Sequence, residues 1–135
     1  MVLEVSSKEK IKSLKLEFSK TVILMKVGVF YQAYNSDAGV LSYIVNYKFI
    51  KDSCGFSQNS FEKAITEFSK CKVNAYVDNM FFNFGDNYNF YLDLFKQKVK
   101  SDKLIDDICN DVRNIITNDI DSYYFIKKFL KEYYE

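Results

Sequence analysis

Hydrophobic residues recur with two different periods along the first part of the chain. Three apolar residues at helical intervals, with lysines between them, predict an amphipathic helix over about residues 7–19, with the stripe Ile11, Leu14 and Phe18. The next run, residues 21–29, is nearly continuous in β-branched and apolar side chains. Such a run is typical of a strand that is covered on both faces, and it predicts a central strand of a sheet.

The pattern changes again after this predicted strand. From residue 30 to about residue 45 it becomes helical, and Asp37 is placed to cap the stretch 38–45. Residues 47–51 alternate between apolar and polar side chains, which predicts a second strand. The sequence Asp-Ser-Cys-Gly at 52–55 has turn chemistry and is expected to end that strand.

Helix and strand signals continue to alternate up to Gly85. A stripe after Ser57 or Asn59 predicts a helix on the residues Phe61, Ala64, Ile65, Phe68 and Cys71. Residues 72–77 and 80–84 then form two strand patterns, and Asp78-Asn79 between them is a plausible hairpin turn. The first part of the chain therefore predicts an α/β fold.

The remainder is helical throughout. Its apolar stripes are Tyr88, Tyr91, Leu92, Phe95 and Val99, then Ile105, Ile108, Cys109, Val112, Ile115 and Ile116, and finally Ile126, Phe129, Leu130 and Tyr133. Ser101 or Asp102, and Asn118 or Asp119, are the expected caps between two or three helices. We expect residues 86–135 to pack on the sheet as an extension of one domain spanning 1–135.

Composition limits the kinds of function that fit. The chain has 135 residues, 48% hydrophobic and 27% charged, which suits one folded domain rather than a disordered segment. A formal net charge of +1 gives no global electrostatic attraction to nucleic acid, so any DNA contact must be local. Arg113 is the one arginine, and bidentate reading of guanine or phosphate is therefore almost excluded.

The residue inventory disfavours catalysis and metal binding. There is no histidine, no nucleophile-elbow pattern and no glycine-rich phosphate loop, so we expect no enzyme and no cofactor. Cys54, Cys71 and Cys109 lack CxxC spacing and are expected to be free thiols. The N-terminus lacks the pattern of a signal peptide and no apolar run is long enough to span a bilayer, so a cytoplasmic location is expected.

Two charged stretches in the second half are interpreted as solvated helix faces. Residues 96–103 are rich in lysine, which helix ends favour through the macrodipole. Asp106, Asp107 and Asp111 occupy one acidic flank, but no second group of ligands accompanies them. We therefore expect no metal site.

The strand-to-helix junction at residues 27–38, Val-Gly-Val-Phe-Tyr-Gln-Ala-Tyr-Asn-Ser-Asp-Ala, resembles the signature of MutS domain I. In that family a strand ends in Gly-Asp-Phe-Tyr-Glu, and the helix that follows carries an Asp-Ala pair. Residues 54–57 occupy the place of the family's Ala-Gly-Val-Pro turn, 60–68 match its next helix and 73–77 its next strand. The order and spacing agree over residues 22–77, and the resemblance implies a mixed central sheet with flanking helices.

The resemblance also implies a set of DNA-binding residues. In the family, the phenylalanine wedges into the minor groove and stacks on a mispaired or unpaired base, and the glutamate two residues later hydrogen-bonds that base. These roles fall on Phe30 and on Gln32, and Val29 stands where the family has aspartate. Family contacts to the DNA backbone fall near the strand and turn after the first helix, where Lys48 and Lys51 are the available cations.

Residue types alone support a simpler interpretation of the same positions. For Phe30 a buried core ring at the start of a helix is the favoured interpretation. Gln32 is by default a solvated helix residue, and Lys48 and Lys51 are by default exposed strand charges. The two interpretations differ in whether the Phe30 ring is accessible.

Two functional hypotheses follow from the resemblance. The first is an accessory module for DNA repair or for a mobile element that probes mismatched or distorted duplex by aromatic stacking. It is ATP-independent, since no GxxxxGK motif followed by Ser or Thr occurs. The alternative is a non-enzymatic protein-interaction adaptor, for example an accessory protein of a bacterial retroelement reverse transcriptase. Expected partners are weakly bound double-stranded DNA and a protein such as a polymerase or repair factor, with no membrane and no metal.

Overall fold

A computed structural model describes residues 7–134, and the chain divides into two compact units between Gln97 and Lys98. The first unit contains α1 (Ser7–Glu17), β1 (Thr21–Val27), β2 (Phe30–Tyr34), α2 (Ser36–Val45), β3 (Ser53–Ser57), α3 (Phe61–Cys71), β4 (Val73–Val77) and β5 (Met80–Asp86). A 3-10 turn at Gln58–Ser60 precedes α3. The helix α4 (Tyr88–Asn118) begins in the first unit and continues into the second, which also holds α5 (Ser122–Tyr134).

The strands of the described chain form one five-stranded sheet in the order β3-β2-β1-β4-β5. β1 and β4 are parallel, whereas the other neighbouring pairs are antiparallel. A parallel pair needs a long crossover connection, and the segment between β1 and β4 supplies one that includes α2 and α3. The predicted α/β class, with a mixed sheet and flanking helices, is confirmed.

One face of the sheet carries the hydrophobic core of the first unit. Every second strand residue points into this face, where α2, α3 and the first turns of α4 cover it. Burial of these apolar side chains is the dominant favourable term in folding. The buried set comprises Val22, Leu24, Tyr31, Ala33, Ala38, Val40, Leu41, Cys54, Phe56, Ala64, Phe68, Val73, Ala75, Val77 and Tyr88.

The opposite face is covered in part by the segment that links α1 to β1. The ring of Phe18 lies 5.1 Å from that of Tyr76 and 5.0 Å from that of Phe81, measured between centroids. Ile23, which pairs with Tyr76, is buried on this side of the sheet. Along β2 this face stays partly exposed: Phe30 is exposed, and Gln32 and Tyr34 are half-buried.

The helix predicted from residue 30 begins six residues later. Residues 30–34 form β2, because Gly28 adopts a positive φ of 64° and the chain reverses through the two-residue loop Gly28-Val29. Pairing with β1 and β3 then outweighs local helical preference. Asp37, predicted as a helix cap, instead lies inside the first turn of α2 and is buried.

The strand predicted at 47–51 is also displaced. Tyr47 and Phe49 pack against the core from a loop, and Lys51 and Asp52 both have positive φ, which is incompatible with a regular strand. The strand is β3, formed by residues that had been assigned to the turn. The alternation of apolar and polar residues at 47–51 therefore arises because the rings of Tyr47 and Phe49 are packed against the core, and not because the segment pairs in the sheet.

Predictions for the later elements hold with one exception. The Asp78-Asn79 hairpin is confirmed, with φ of 49° and 64° at its two residues, as a type I′ turn requires. No break occurs at Ser101 or Asp102, where a cap was predicted, and α4 is continuous to Asn118. The segment contains neither glycine nor proline after Gly85, so nothing local forces the helix to end earlier.

The second unit exposes many apolar side chains. Val112, Ile116 and Ile126 are half-buried, whereas most of the other large apolar residues of this unit are exposed. The exposed set comprises Val99, Leu104, Ile105, Ile108, Ile115, Ile120, Tyr123, Tyr124, Phe125, Phe129, Leu130, Tyr133 and Tyr134. Monomeric proteins rarely present so much apolar surface without an interaction partner.

Gly39 is a packing position inside α2. A β-carbon at this residue would lie 2.5 Å from Cδ1 of Phe95, so the ring of α4 rests directly on the helix backbone. We expect Gly39→Ala to destabilise the protein by ~1 kcal/mol or more, because overpacking of 1–3 kcal/mol exceeds the gain in helix propensity. Thermal unfolding monitored by circular dichroism measures this change. In a Phe95→Leu background the Gly39→Ala substitution should cost less stability. An increase in stability on Gly39→Ala in the wild-type protein would contradict close packing of Phe95 on Gly39.

Candidate nucleic-acid interface

The tip of the β1–β2 hairpin presents an aromatic ring to solvent. Val27 pairs with Phe30 across the Gly28-Val29 loop, so Phe30 is the first residue after the turn. Glycine is favoured at position 28 by the backbone and not by lack of space. A β-carbon there would contact nothing, but the positive φ of the residue is the one that a type II′ turn requires at its first position. The Phe30 side chain is 49% exposed and forms no aromatic pair within residues 7–134. The ring is therefore not a core residue.

Tyr31 points the other way and anchors the hairpin. Its ring packs against Phe56 at 5.7 Å and Phe61 at 5.3 Å between centroids. Its hydroxyl donates a hydrogen bond to Asp78 Oδ2 at 3.0 Å, which together with burial raises the pKa of the phenol. Strand alternation at this point buries Tyr31 and so directs Phe30 and Gln32 to the other face.

Gln32 lies on the same face as Phe30, two residues along β2. It pairs with Gly55 of β3, where a β-carbon would meet Gln32 Cγ at 2.9 Å. The missing side chain at Gly55 thus makes room for the glutamine. Tyr34 donates its hydroxyl hydrogen to Gln32 Oε1 at 2.9 Å, and the Gln32 amide nitrogen has no hydrogen-bond partner in the described part of the chain. Gln32 therefore offers a donor where the family's glutamate offers an acceptor.

Lys51, one of the two predicted backbone lysines, does not lie beside the ring. Lys48 and Lys51 belong to the loop between α2 and β3, and both are exposed. Tyr34, at the end of β2 next to this loop, is four residues from Phe30, about 14 Å along the strand. The structure thus brings Phe30 and Gln32 together and separates both from Lys51. Lys26, one residue before the partner of Phe30, is nearer the tip but on the opposite face.

Sequence reasoning missed Tyr34 and the lysines of α1. Tyr34 lies on the face of Phe30 and Gln32, and its position became readable only once residues 30–34 were known to form a strand. In α1, Lys8, Lys12 and Lys15 follow one another at helical spacing, a signal that one side of the helix is basic. These lysines line a cleft with Lys51, at the end of β2 away from Phe30.

No group of three or more His, Cys, Asp or Glu side chains in residues 7–134 is arranged to hold a metal ion. The three cysteines are free, as predicted, and burial raises the pKa of the Cys54 thiol to about 11, which keeps it protonated and unreactive. None of the described helices combines the length and the apolar character needed to cross a membrane.

Comparison with known protein families identifies the family of this chain. No curated protein matches the chain. The family model described as MutS domain I matches residues 7–85, which is more than half of the chain and runs from α1 almost to the end of β5. The match therefore extends the predicted resemblance at both ends. The chain belongs to the MutS domain I family.

Proposed function

We propose that this protein is a cytoplasmic, ATP-independent module that binds DNA and detects mismatched or distorted duplex by inserting the Phe30 ring. The observation that carries the proposal is the half-exposed ring at the tip of a tight hairpin. Apolar wedges of this kind enter between base steps and partly unstack them. Unstacking costs least where a mismatch or an unpaired base has already weakened the duplex, and discrimination follows from that difference.

The surroundings of the ring support the same proposal. Tyr31 fixes the strand that carries the ring through packing and a hydrogen bond, so this part of the backbone does not need to be ordered on binding. The free amide hydrogens of Gln32 match the acceptors that both A·T and T·A pairs present in the minor groove. No catalytic step is assigned to any of these side chains.

Affinity for DNA is expected to be weak. The net charge is +1, and Lys51 lies at the far end of β2 from the ring. We expect a dissociation constant for homoduplex of about 10⁻⁴ to 10⁻⁶ M, the range usual for non-specific binding. Mismatched or bulged duplex should bind more tightly than homoduplex.

The proposal is tested by fluorescence anisotropy at low salt. Labelled homoduplex, mismatched duplex and duplex with a single-base bulge are titrated with the wild type and with Phe30→Ala. The wild type should prefer the bulge, and Phe30→Ala should lose roughly 5- to 150-fold of affinity for it, since stacking of one base contributes about 1–3 kcal/mol. Homoduplex binding should change little.

Phe90→Ala is the matched control for this experiment. Phe90 is 58% exposed in the first turn of α4, so the substitution removes a ring of similar exposure from another surface of the same unit. It should leave the preference for the bulge intact. An equal loss in both variants, or no preference in the wild type, would remove the basis for base stacking.

A protein-interaction adaptor is the second candidate, and the exposed apolar side chains of α4 and α5 in the second unit favour it. An adaptor needs no DNA contact, so it predicts no anisotropy change with any duplex at high protein concentration. The titration above therefore separates the two functions.

A further inference from the structure

A second surface of the first unit combines positive charge with an aromatic ring. A cleft of about 770 Å³ lies between α1 and the loops that flank β2 and β3. It is lined by Lys8, Lys12, Lys15, Tyr34, Asn35 and Lys51, with two apolar residues of α1 and a single acidic group, Asp52. We call this the lysine cleft.

Three of its cations are free to bind a ligand. Lys15 is committed within the fold, since its Nζ donates to Thr21 O at 2.7 Å and forms an ion pair with Asp37 at 2.8 Å. Lys8, Lys12 and Lys51 are exposed and form no ion pair with any other residue in the described range 7–134. Unpaired lysines gathered around one concave surface produce a local positive potential on a chain that is nearly neutral overall.

The shape and lining of the cleft identify the ligand class. Cations that follow a phosphate backbone, next to an aromatic face on which a base can stack, are the components of single-strand binding sites. Tyr34 supplies the ring and Asn35 an amide that can donate to or accept from a base edge. A base must be unpaired to stack on the Tyr34 ring, so the lining favours a single strand over a duplex.

We propose that the lysine cleft binds single-stranded nucleic acid, with phosphates at Lys8, Lys12 and Lys51 and a base on Tyr34. The site lies about 14 Å along β2 from Phe30, on the same face of the strand. The proposal does not depend on Phe30, and it goes beyond duplex probing because it assigns a separate ligand to a separate surface. A ligand with both a distorted duplex and a single-stranded tail would engage both sites.

The salt dependence of binding tests this proposal directly. Anisotropy of a labelled oligothymidylate is measured at several salt concentrations with the full chain and with Lys8→Ala/Lys12→Ala. Each phosphate neutralised on a single strand contributes about 0.7 to the slope of log K against log salt, so the double variant should lose about 1.4 from that slope.

The matched control is Lys10→Ala/Lys63→Ala. It removes two exposed lysines, one of them from α1 itself, that do not line the cleft, and so leaves the same net charge as the test variant. Its slope should equal that of the wild type. Equal slopes in the two double variants, or no binding of the oligonucleotide, would overturn the proposal.

Two further arms separate the possible causes. A duplex of the same length should show no comparable fall in slope in the cleft variant, and an equal fall would reject single-strand selectivity. Phe30→Ala should retain the wild-type slope with oligothymidylate. If the wild type shows no bulge preference but Lys8→Ala/Lys12→Ala still lowers the slope with oligothymidylate, only the role proposed for Phe30 fails. If the wild type prefers the bulge but the cleft variant keeps the wild-type slope, only the cleft proposal fails.

Discussion

Replacing Asp37 by alanine is expected to destabilise the protein by about 2–4 kcal/mol, because a buried N–H and a buried hydroxyl each lose their acceptor at a cost of about 1–3 kcal/mol. Asp37 Oδ2 accepts the backbone N–H of Ile23 at 3.1 Å, and Oδ1 accepts hydrogen bonds from Lys15 and from the Tyr88 hydroxyl. One carboxylate thus joins α1, β1, α2 and α4. Without it a buried N–H and a phenol lose their acceptor, and the Lys15 ammonium loses its ion-pair partner while it still donates to Thr21 O. Urea unfolding followed by circular dichroism measures the loss.

Asp37→Asn distinguishes hydrogen bonding from charge in this cluster. Burial raises the pKa of Asp37 against the opposing effects of Lys15, Tyr88 and Ile23, so the carboxylate costs more to desolvate than these contacts return. Asparagine keeps one oxygen to accept the Ile23 N–H, but its NH2 group replaces the oxygen that accepts from Lys15 and Tyr88. The NH2 group can donate to the Tyr88 hydroxyl oxygen, so we expect a loss of about 1–2 kcal/mol, smaller than that of the alanine variant. An asparagine variant as unstable as the alanine variant would contradict this account.

The raised pKa also fixes the sign of the pH dependence. The folded protein binds a proton at Asp37 more tightly than the unfolded chain does. In the unfolded chain the pKa of this carboxyl has its ordinary value of 3.8. The stability gained on protonation is fully present below that value and is lost as pH rises through the folded pKa. The wild type should therefore gain stability relative to Asp37→Asn as the pH falls from neutral toward 3.8.

Phe68→Ala is expected to cost about 3–5 kcal/mol, because removing a buried phenylalanine ring leaves a cavity that the sheet and helices cannot close. Phe68 is fully buried and, with Ala64, forms the buried side of α3 against the core. Urea unfolding at neutral pH measures the change in the free energy of unfolding. Phe90→Ala, at an exposed ring, should cost far less. Similar losses in the two variants would show that α3 is not held by this side chain.

Local patterns in the sequence were enough to predict much of the first unit. The stripe that ends at Cys71, the strands on either side of Asp78-Asn79 and the apolar run from Thr21 all appear where their periodicity indicates. Each of these signals depends on residues that are neighbours in the chain, and burial of one face then follows from the period.

Local sequence patterns gave the wrong secondary structure where contacts with distant parts of the chain decide the conformation. Residues 30–34 follow a helical pattern together with the residues after them, yet they form a strand because the Gly28-Val29 turn brings them beside β1. The alternation of Tyr47 and Phe49 reflects ring burial from a loop, which period alone cannot separate from a strand. The resemblance to MutS domain I identified Phe30, but the exposure of its ring depends on the hairpin register.

The lysine cleft was inaccessible to sequence reasoning for a related reason. Lys51 lies far along the chain from Lys8 and Lys12, and only the packing of α1 near the end of β2 places them around one cavity. Asp37 is a similar case, since its partners come from three other elements. Contacts of this kind depend on the whole topology, so no local motif records them.

Direct contact between Phe30 and an unpaired base is tested most sharply by photocrosslinking. A duplex with a single bulged 5-iodouracil is bound to the wild-type protein, irradiated and digested with trypsin, and the adduct is located by mass spectrometry. We expect the adduct on Phe30, within the peptide that follows Lys26 and ends at Lys48. Adducts confined to other aromatic residues, with the DNA still bound, would contradict the account.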